Sequence, residues 1–342
     1  MKTVALIKGD GVGPELAEAF LKVFNAVKPN VKIIPLEAGF EWWQAHGGPS
    51  LIPPETWEVL ERSDACLKAP TTTPWERGMP RSVAVSIRQR FDLYANIRPI
   101  KTFKGLQGRF GDLDFICVRE GTEDLYTGID VRLSDDCAIA IRKISRKQSE
   151  RVARKAFEIA KSKGWSKVIV VTKRNIMKEA DGMFWESVER VAKEYPGISY
   201  EEYFVDNMAQ QLVKNPERFN NNVILGTNMF MDILSEEASG LVASIGCIYS
   251  ANFGDNYAMF EPAHGSAPKY KGMNKVNPTA MILSGAWMLE YLGEVDAAKA
   301  IFEATEAVIA EGKKVTYDLG GTATTFEMAE AIAEKAKELL RK

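Results

Sequence analysis

Two carboxylates four residues apart are the first chemistry in this chain. Residues 228–238 read NMFMDILSEEA, so Asp232 and Glu236 stack on one face of a helix about a turn apart. Like charges held that close repel unless a cation sits between them, and carboxylate oxygens suit a hard divalent ion. A solvated acidic helix face is the commoner meaning of this spacing. A second group follows apolar runs that read as strands: Arg98 after 93–97, Arg119 after 115–118, Lys173 after 168–171 and Asp206 after 200–205. Each alone reads as a solvated loop charge. Together they mark strand ends, where open α/β sheets bind ligands. Arg88, Arg98 and Arg119 suit a polycarboxylate substrate, because guanidinium clamps carboxylates with two parallel hydrogen bonds.

The rest of the chain bounds what such a site serves. Its 342 residues hold about two domains or one large α/β unit. A net charge of −2 offers no general attraction for nucleic acid or anionic lipid. The two histidines, His46 and His264, exclude a His-rich metal centre, and without a C-x-x-C pair there is no structural zinc signature. No apolar run is long enough to span a membrane, and nothing resembles a signal peptide, so the cytoplasm is the expected location.

Strand and helix patterns alternate throughout, which predicts a mostly parallel α/β sheet. Strands are expected at 3–7, 31–36, 64–69, 93–97, 115–119, 168–171, 200–205, 223–225 and 241–245. A protruding β-arm is expected within 137–144. Helices are expected at 15–27, 56–62, 83–91, 148–163, 182–194, 208–214, from 229, and at 278–292, 297–311 and 326–340. The turn GDGVGPE at 9–15 suggests a dinucleotide loop, but Pro14 stands where the G-x-G-x-x-G pattern needs a small residue.

These segments resemble the β-decarboxylating 2-hydroxyacid dehydrogenases: isopropylmalate, isocitrate, homoisocitrate and tartrate dehydrogenases. The resemblance covers essentially the whole chain. It rests on residues 9–15, Arg88 with DLYANIRP at 92–99, VRE at 118–120 with Tyr126, VTKRN around Lys173, VDNM around Asp206, DILSE at 232–236 and EPAHGSAP at 261–268.

The resemblance implies a non-Rossmann, two-domain α/β fold. Residues 1–96 and 246–342 form a large cofactor domain, and 97–245 form a small domain with an arm near 127–145. It implies a homodimer, or a dimer of dimers, in which Lys173 and Asp206 reach into the partner's site. The implied reaction is oxidative decarboxylation of a malate-type hydroxyacid with Mg2+ or Mn2+ and NAD(P)+. Asp206, Asp232 and Glu236 hold the ion. The family usually has Asp where Glu236 stands, so this longer side chain reaches the ion directly, through water, or by orienting Asp232. Lys173 is the implied base, Tyr126 the acid, and Arg88, Arg98 and Arg119 the carboxylate clamp.

Two departures bear on specificity. Isocitrate enzymes place Ser and Asn two residues apart where this chain has Ser82 and Ala84, half of that pattern, and Arg81 adds charge for a longer substrate. Homoisocitrate or isocitrate is therefore expected, with 3-isopropylmalate as the alternative substrate. The implied cofactor site is Thr73, His264, Gly265, Ser266, Ala267, Lys269, Tyr270, Asn277 (on the adenine) and Tyr317. Lys269 and Tyr270 replace the ribose-binding Asp of NAD-using members, which favours NADP with some NAD use. Gly321 stands where NADP-linked isocitrate enzymes have Arg. A non-catalytic regulatory subunit of the family is the rival reading, but nearly all of the site residues such chains lose are present.

Overall fold

The computed structural model describes residues 1–341 apart from 107, 109 and 243. The chain opens with β1 (Lys2–Ile7), α1 (Gly13–Val27), β2 (Val31–Leu36), α2 (Phe40–His46), α3 (Pro54–Arg62), β3 (Ala65–Lys68) and α4 (Val83–Arg90). The middle holds β4 (Ala95–Lys101), β5 (Asp114–Glu120), β6 (Asp130–Ser134), β7 (Cys137–Ala140), α5 (Arg146–Lys163) and β8 (Lys167–Thr172). Then come α6 (Ala180–Ala192), β9 (Ser199–Phe204), α7 (Val205–Lys214), β10 (Val223–Gly226) and α8 (Asn228–Ser239). It closes with β11 (Tyr249–Phe253), β12 (Ala258–Pro262), α9 (Thr279–Tyr291), α10 (Val295–Glu311) and α11 (Thr325–Leu339).

Among the described residues, ten strands form one sheet in the order β2-β1-β3-β12-β11-β4-β5-β10-β8-β9. Both flanks are parallel, as expected. The three central pairings, β12–β11, β11–β4 and β4–β5, are antiparallel.

Period-two alternation sends each strand's residues to two different cores. Val4 and Leu6 of β1 pack under α1, α9, α10 and α11, while Ala5 and Ile7 face α3 and α4. Ile116 and Val118 of β5 pack under α5 and α6, while Phe115 and Cys117 face α7 and α8. On the front of the antiparallel centre, α4 and α8 stand on either side of the polar residues of β4, β5, β11 and β12. On the rear, a cavity of about 580 Å3 is lined by Ile97, Pro99, Ile116, Tyr249 and Phe253 among others.

Helix ends follow local rules. Pro14 opens α1, Ser82 caps α4 by accepting the Val85 N–H, and Thr324 with Glu327 forms a capping box on α11. The arm is β6 paired with β7, a separate antiparallel ribbon with every residue exposed.

Two expected strands need correcting, and three elements were not expected. β4 starts and ends later than 93–97, so Arg98 lies inside the strand rather than after it, and Arg119 likewise lies inside β5 rather than after 115–118. The strand expected at 241–245 is not formed by its described residues, of which 243 is not one. Leu241 and Val242 turn at the end of α8, and a 3-10 turn, Ile245–Cys247, follows. The strands β11 and β12 and the short helix α2 were not expected.

Candidate active site

The front face of the antiparallel centre gathers the three arginines. Arg88 comes from the last turn of α4. Its Nε donates to Asn252 Oδ1 at 2.8 Å and its Nη2 to Glu261 Oε1 at 3.0 Å. Arg98 alternates with Ile97 and Pro99 on β4, so it faces the site while they face the rear cavity. It donates to Asn96 Oδ1 (3.0 Å), Ser235 Oγ (3.0 Å) and Glu236 Oε1 (2.5 Å). Arg119 of β5 donates through Nε to Asn228 Oδ1 at 2.8 Å and through Nη1 to Asp232 Oδ1. All three guanidinium side chains are buried.

Neutral amides link these charges. Asn252 Oδ1 accepts from Asn96 Nδ2 at 2.9 Å, and its own amide donates to Glu261 Oε1 at 2.8 Å. Lys68 of β3 closes the chain at 2.9 Å from Glu261 Oε2. A continuous relay therefore runs from Lys68 to α8. Burial pushes the Glu261 carboxyl up, but Lys68 and Arg88 reverse the sign and hold it ionised. The relay's Lys68, Asn96, Asn252 and Glu261 were not singled out from the sequence, and neither were Asn228 and Ser235. Glu261 sits in a quoted motif, and Ser235 lies between the two acids of α8.

Tyr126, on a 3-10 turn (Leu125–Thr127), donates its hydroxyl to Asp232 Oδ2 at 2.7 Å. Its ring lies 4.9 Å from the Arg119 guanidinium. Burial raises the phenol; Arg119 opposes and the Asp232 bond assists, so the net shift is upward and the group is protonated at neutral pH. Burial also raises Asp232, but Arg119, the Tyr126 hydroxyl and Arg98 outweigh it and hold the carboxyl below its ordinary value. Arg119 falls to about 10 through burial and the neighbouring Arg88, and still carries its charge at neutral pH.

Asp232 and Glu236 thus share a helix face, as the spacing predicts; Arg98 spans both, with its Nη2 3.6 Å from Asp232 Oδ1, and Arg119 holds Asp232 as well. Among the described residues no three His, Cys, Asp or Glu side chains converge to hold a metal. The donor chemistry fits a hard cation, since both carboxylates stay more than a third open to solvent. Among the described residues, one chain brings these two carboxylates and no third ligand to this face. Asp206, at the start of α7, instead pairs with Lys173 Nζ at 2.6 Å beyond the ends of β8 and β9. The Lys173 bond lowers the Asp206 carboxyl.

The cofactor-loop residues lie around the first turn of the chain. Ser266 accepts the Val12 N–H at 2.9 Å through its carbonyl and meets Thr72 Oγ1 at 2.6 Å through its hydroxyl. Gly11, at φ +58°, has no room for a side chain: a β-carbon would lie 2.1 Å from the Ser266 carbonyl oxygen. Gly11 therefore docks residues 266–268, while Gly9 abuts the Pro70 carbonyl, where a β-carbon would lie 2.1 Å away. Thr73 is exposed beside it. Ala267 is in the left-handed region. His264 is shifted down by burial, its Nδ1 lies 3.0 Å from the Gly265 carbonyl, and its Nε2 is buried without a partner among the described residues. Asn277 is buried with its amide committed to Asp318 (2.9 Å) and the Thr279 N–H (2.9 Å). Tyr270 and Tyr317 lie with ring centres 6.4 Å apart. Lys275 sits 4.7 Å from the Tyr317 ring and Lys269 4.9 Å from that of Tyr270. Lys275 was not singled out from the sequence.

Arg81 departs from expectation. Its guanidinium turns to the Gln89 side chain and to the Thr127 carbonyl at 3.3 Å. No helix among the described residues is long and apolar enough to cross a membrane.

The family model for isocitrate/isopropylmalate dehydrogenase matches residues 3–332. The chain is 40% identical to the 3-isopropylmalate dehydrogenase of Methanothermobacter thermautotrophicus, covering 98% of each chain. It is 41% identical to the isocitrate/homoisocitrate dehydrogenase of Thermus thermophilus, over 98% of this chain and 99% of that one. The crystal structure of isocitrate dehydrogenase from Methylococcus capsulatus superposes with a TM-score of 0.94 at 41% identity, over 98% of this chain and all of that one. A large, mostly parallel α/β sheet, three converging arginines and a carboxylate pair on one helix agree with that match, and the chain belongs to the isocitrate/isopropylmalate dehydrogenase family.

Proposed function

We propose that the chain oxidatively decarboxylates a malate-type 2-hydroxyacid with reduction of NAD(P)+, and that isocitrate or homoisocitrate is preferred over 3-isopropylmalate. The observation that carries this reading is the convergence of buried Arg88, Arg98 and Arg119 with Tyr126 at the Asp232–Glu236 face of α8. A regulatory subunit would have no use for so complete a set.

The arginines hold the β-carboxylate that leaves as CO2. Tyr126, neutral and desolvated, delivers a proton to the carbon that lost it. Lys173 of a second copy takes the substrate hydroxyl proton, and Asp206 of that copy, with Asp232 and Glu236, would hold Mg2+ or Mn2+. When bound, the ion supplies Lewis-acid polarisation of the C2 oxygen and NAD(P)+ supplies the hydride acceptor. The division into 1–96 with 246–342, and 97–245 with the arm at 127–145, puts α4 and α8 in different domains that close on the substrate. The assembly is a homodimer or a dimer of dimers.

A third carboxylate on the substrate is supported by the start of α4. Ser82 caps the Val85 N–H, and the helix N-terminus favours an anion. NADP is favoured by two lysines and two tyrosines, Lys269, Lys275, Tyr270 and Tyr317, with Lys275 supplying charge where Gly321 cannot.

Steady-state kcat/KM for the three hydroxyacids with each nicotinamide tests the reading, with CO2 release followed alongside. Exclusive use of 3-isopropylmalate overturns the substrate preference, and no turnover with any of them overturns the function. Lys269→Asp should lower the NADP-to-NAD preference at least about tenfold, from lost charge-assisted hydrogen bonds. An unchanged preference sinks the NADP reading.

A further inference from the structure

The turn that carries Tyr126 is fastened from two sides. On one side, buried Asp124 accepts the Leu125 N–H (2.9 Å), the Met229 N–H (3.1 Å) and Arg142 Nε (2.8 Å), which ties the turn to the start of α8. On the other, α4 and the residue before its cap reach across. Gln89 Nε2 donates to the Tyr126 carbonyl at 3.1 Å, and Arg81 Nη2 donates to the Thr127 carbonyl at 3.3 Å. Arg81 Nη1 in turn donates to Gln89 Oε1, so the amide has its donor fixed toward the turn. Gly128 completes the fit: a β-carbon there would lie 2.8 Å from Arg81 Nη2, and its φ of +77° is one that side chains avoid.

We infer that Arg81 and Gln89 are positioning residues: by holding two successive carbonyls of the 126–127 turn, they lock the Tyr126 hydroxyl to the helix that presents Ser82 and Arg88 to the substrate. The inference rests on the reading of Tyr126 as proton donor. In that step the enolate electron pair forms the new C–H bond at the carbon that lost CO2. The Tyr126 O–H bond breaks, and the phenolate recovers its proton from water. The geometry demands more of the tyrosine than of the arginines, because proton transfer to carbon fails with small displacements whereas an ionic clamp tolerates them. Without the clamp the turn keeps its Asp124 anchor and the chain keeps its fold, since Arg81 is exposed and Gln89 only half-buried.

The test uses the full-length enzyme in D2O with whichever of the three hydroxyacids turns over fastest. Each yields a 2-oxoacid whose C3 gains one solvent deuteron. The wild type should give one configuration at C3, because the deuteron comes from a fixed donor; it is read by proton NMR after stereospecific reductive amination of the oxoacid in the same tube, which makes the two C3 positions diastereotopic. Arg81→Ala, Gln89→Ala and Gln89→Glu should each lower kcat about ten- to a hundredfold. Substrate KM should move less than about twofold, because the arginine clamp is untouched. The label should be scrambled in proportion, because enolate escapes to be protonated in solution. Gln89→Glu separates this role from mere packing: it keeps the partner of Arg81 but cannot donate to the Tyr126 carbonyl. Tyr126→Phe is the reference. If Tyr126→Phe scrambles the label and the Arg81 and Gln89 variants do not, the clamp is overturned and the tyrosine's role stands. If Tyr126→Phe keeps a single stereoisomer, the proton-donor reading falls and this inference with it.

Discussion

The buried relay from Lys68 to α8 and the Lys173–Asp206 pair are both made of opposite charges, yet they are built on opposite terms. In the relay Lys68, Arg88, Arg98 and Glu261 are all buried, and each meets two or more partners. The Asp206 carboxylate is 68% exposed and pairs with the Lys173 side chain. Burial makes the first arrangement expensive to disturb, because removing one ion strands another in a low-dielectric interior. Exposure makes the second nearly irrelevant to folding. A charge pair that contributes little to its own fold is free to serve a site elsewhere, which suits the proposed reach of Lys173 and Asp206 into a second copy.

The largest expected effect separates the two on activity. Lys173→Ala should cost about 10²–10⁴-fold in kcat, the usual size of an acid–base contribution, and leave the urea midpoint where it was. A matching loss of stability would show that the pair is structural and would break the contrast. Mixing inactive Lys173→Ala with inactive Tyr126→Phe sharpens it further, because hybrid dimers should regain activity only if the two residues serve one site from different chains.

Next in size is Glu261→Gln, which leaves Lys68 and Arg88 without their anion. Unfolding free energy from urea titration should fall by about 3–5 kcal/mol. A change within error would mean that the relay is far better solvated than its burial indicates.

A smaller effect is written in pH. Burial first, against hydrogen bonds from Thr122 and Glu123, pushes Glu120 beside Arg119 up from 4.5 to about 7. A carboxyl raised in the folded state adds stability that is complete below the unfolded value and lost as pH rises through the folded one. Between these values the loss should amount to about 3 kcal/mol at most. Glu120→Gln should flatten that part of the profile, and a parallel profile in the variant would remove Glu120 as its cause. The smallest effect belongs to Asp206→Asn, whose urea midpoint should match the wild type at low and high salt alike.

The arginines and the α8 carboxylates were legible in the sequence because residue type and spacing carry them. Their supports were not. Strands β11 and β12 carry Ser250, Asn252 and Glu261 among apolar residues, so they miss the apolar pattern of a buried strand. The polar residues that disguise them are the ones facing the site, so here function hid structure. β4 runs past the expected 93–97 because Pro99 is tolerated inside it. The β11 pairing covers only 95–97, so the missing Pro99 N–H costs no bond on that side and the strand runs on beside β5. Helix α2 was missed because it is seven residues long and its first N–H groups are met by Asp10, thirty residues earlier. Arg81 was assigned to substrate by type alone, and only its neighbours reveal where it turns.

The uncharged amides of the relay also set how this protein ages. Asn252 shows its oxygen to Arg88 and Asn96 and its nitrogen to Glu261 and the Met259 carbonyl. Loss of ammonia there would turn two donated bonds into clashes of oxygen with oxygen, at the spot where Arg88 is steered. Asparagine is among the residues that heat degrades first. Asn252, however, is buried in a strand paired on both sides, which keeps its amide from closing on the next backbone nitrogen, so the sheet that aims Arg88 also shields the amide it depends on.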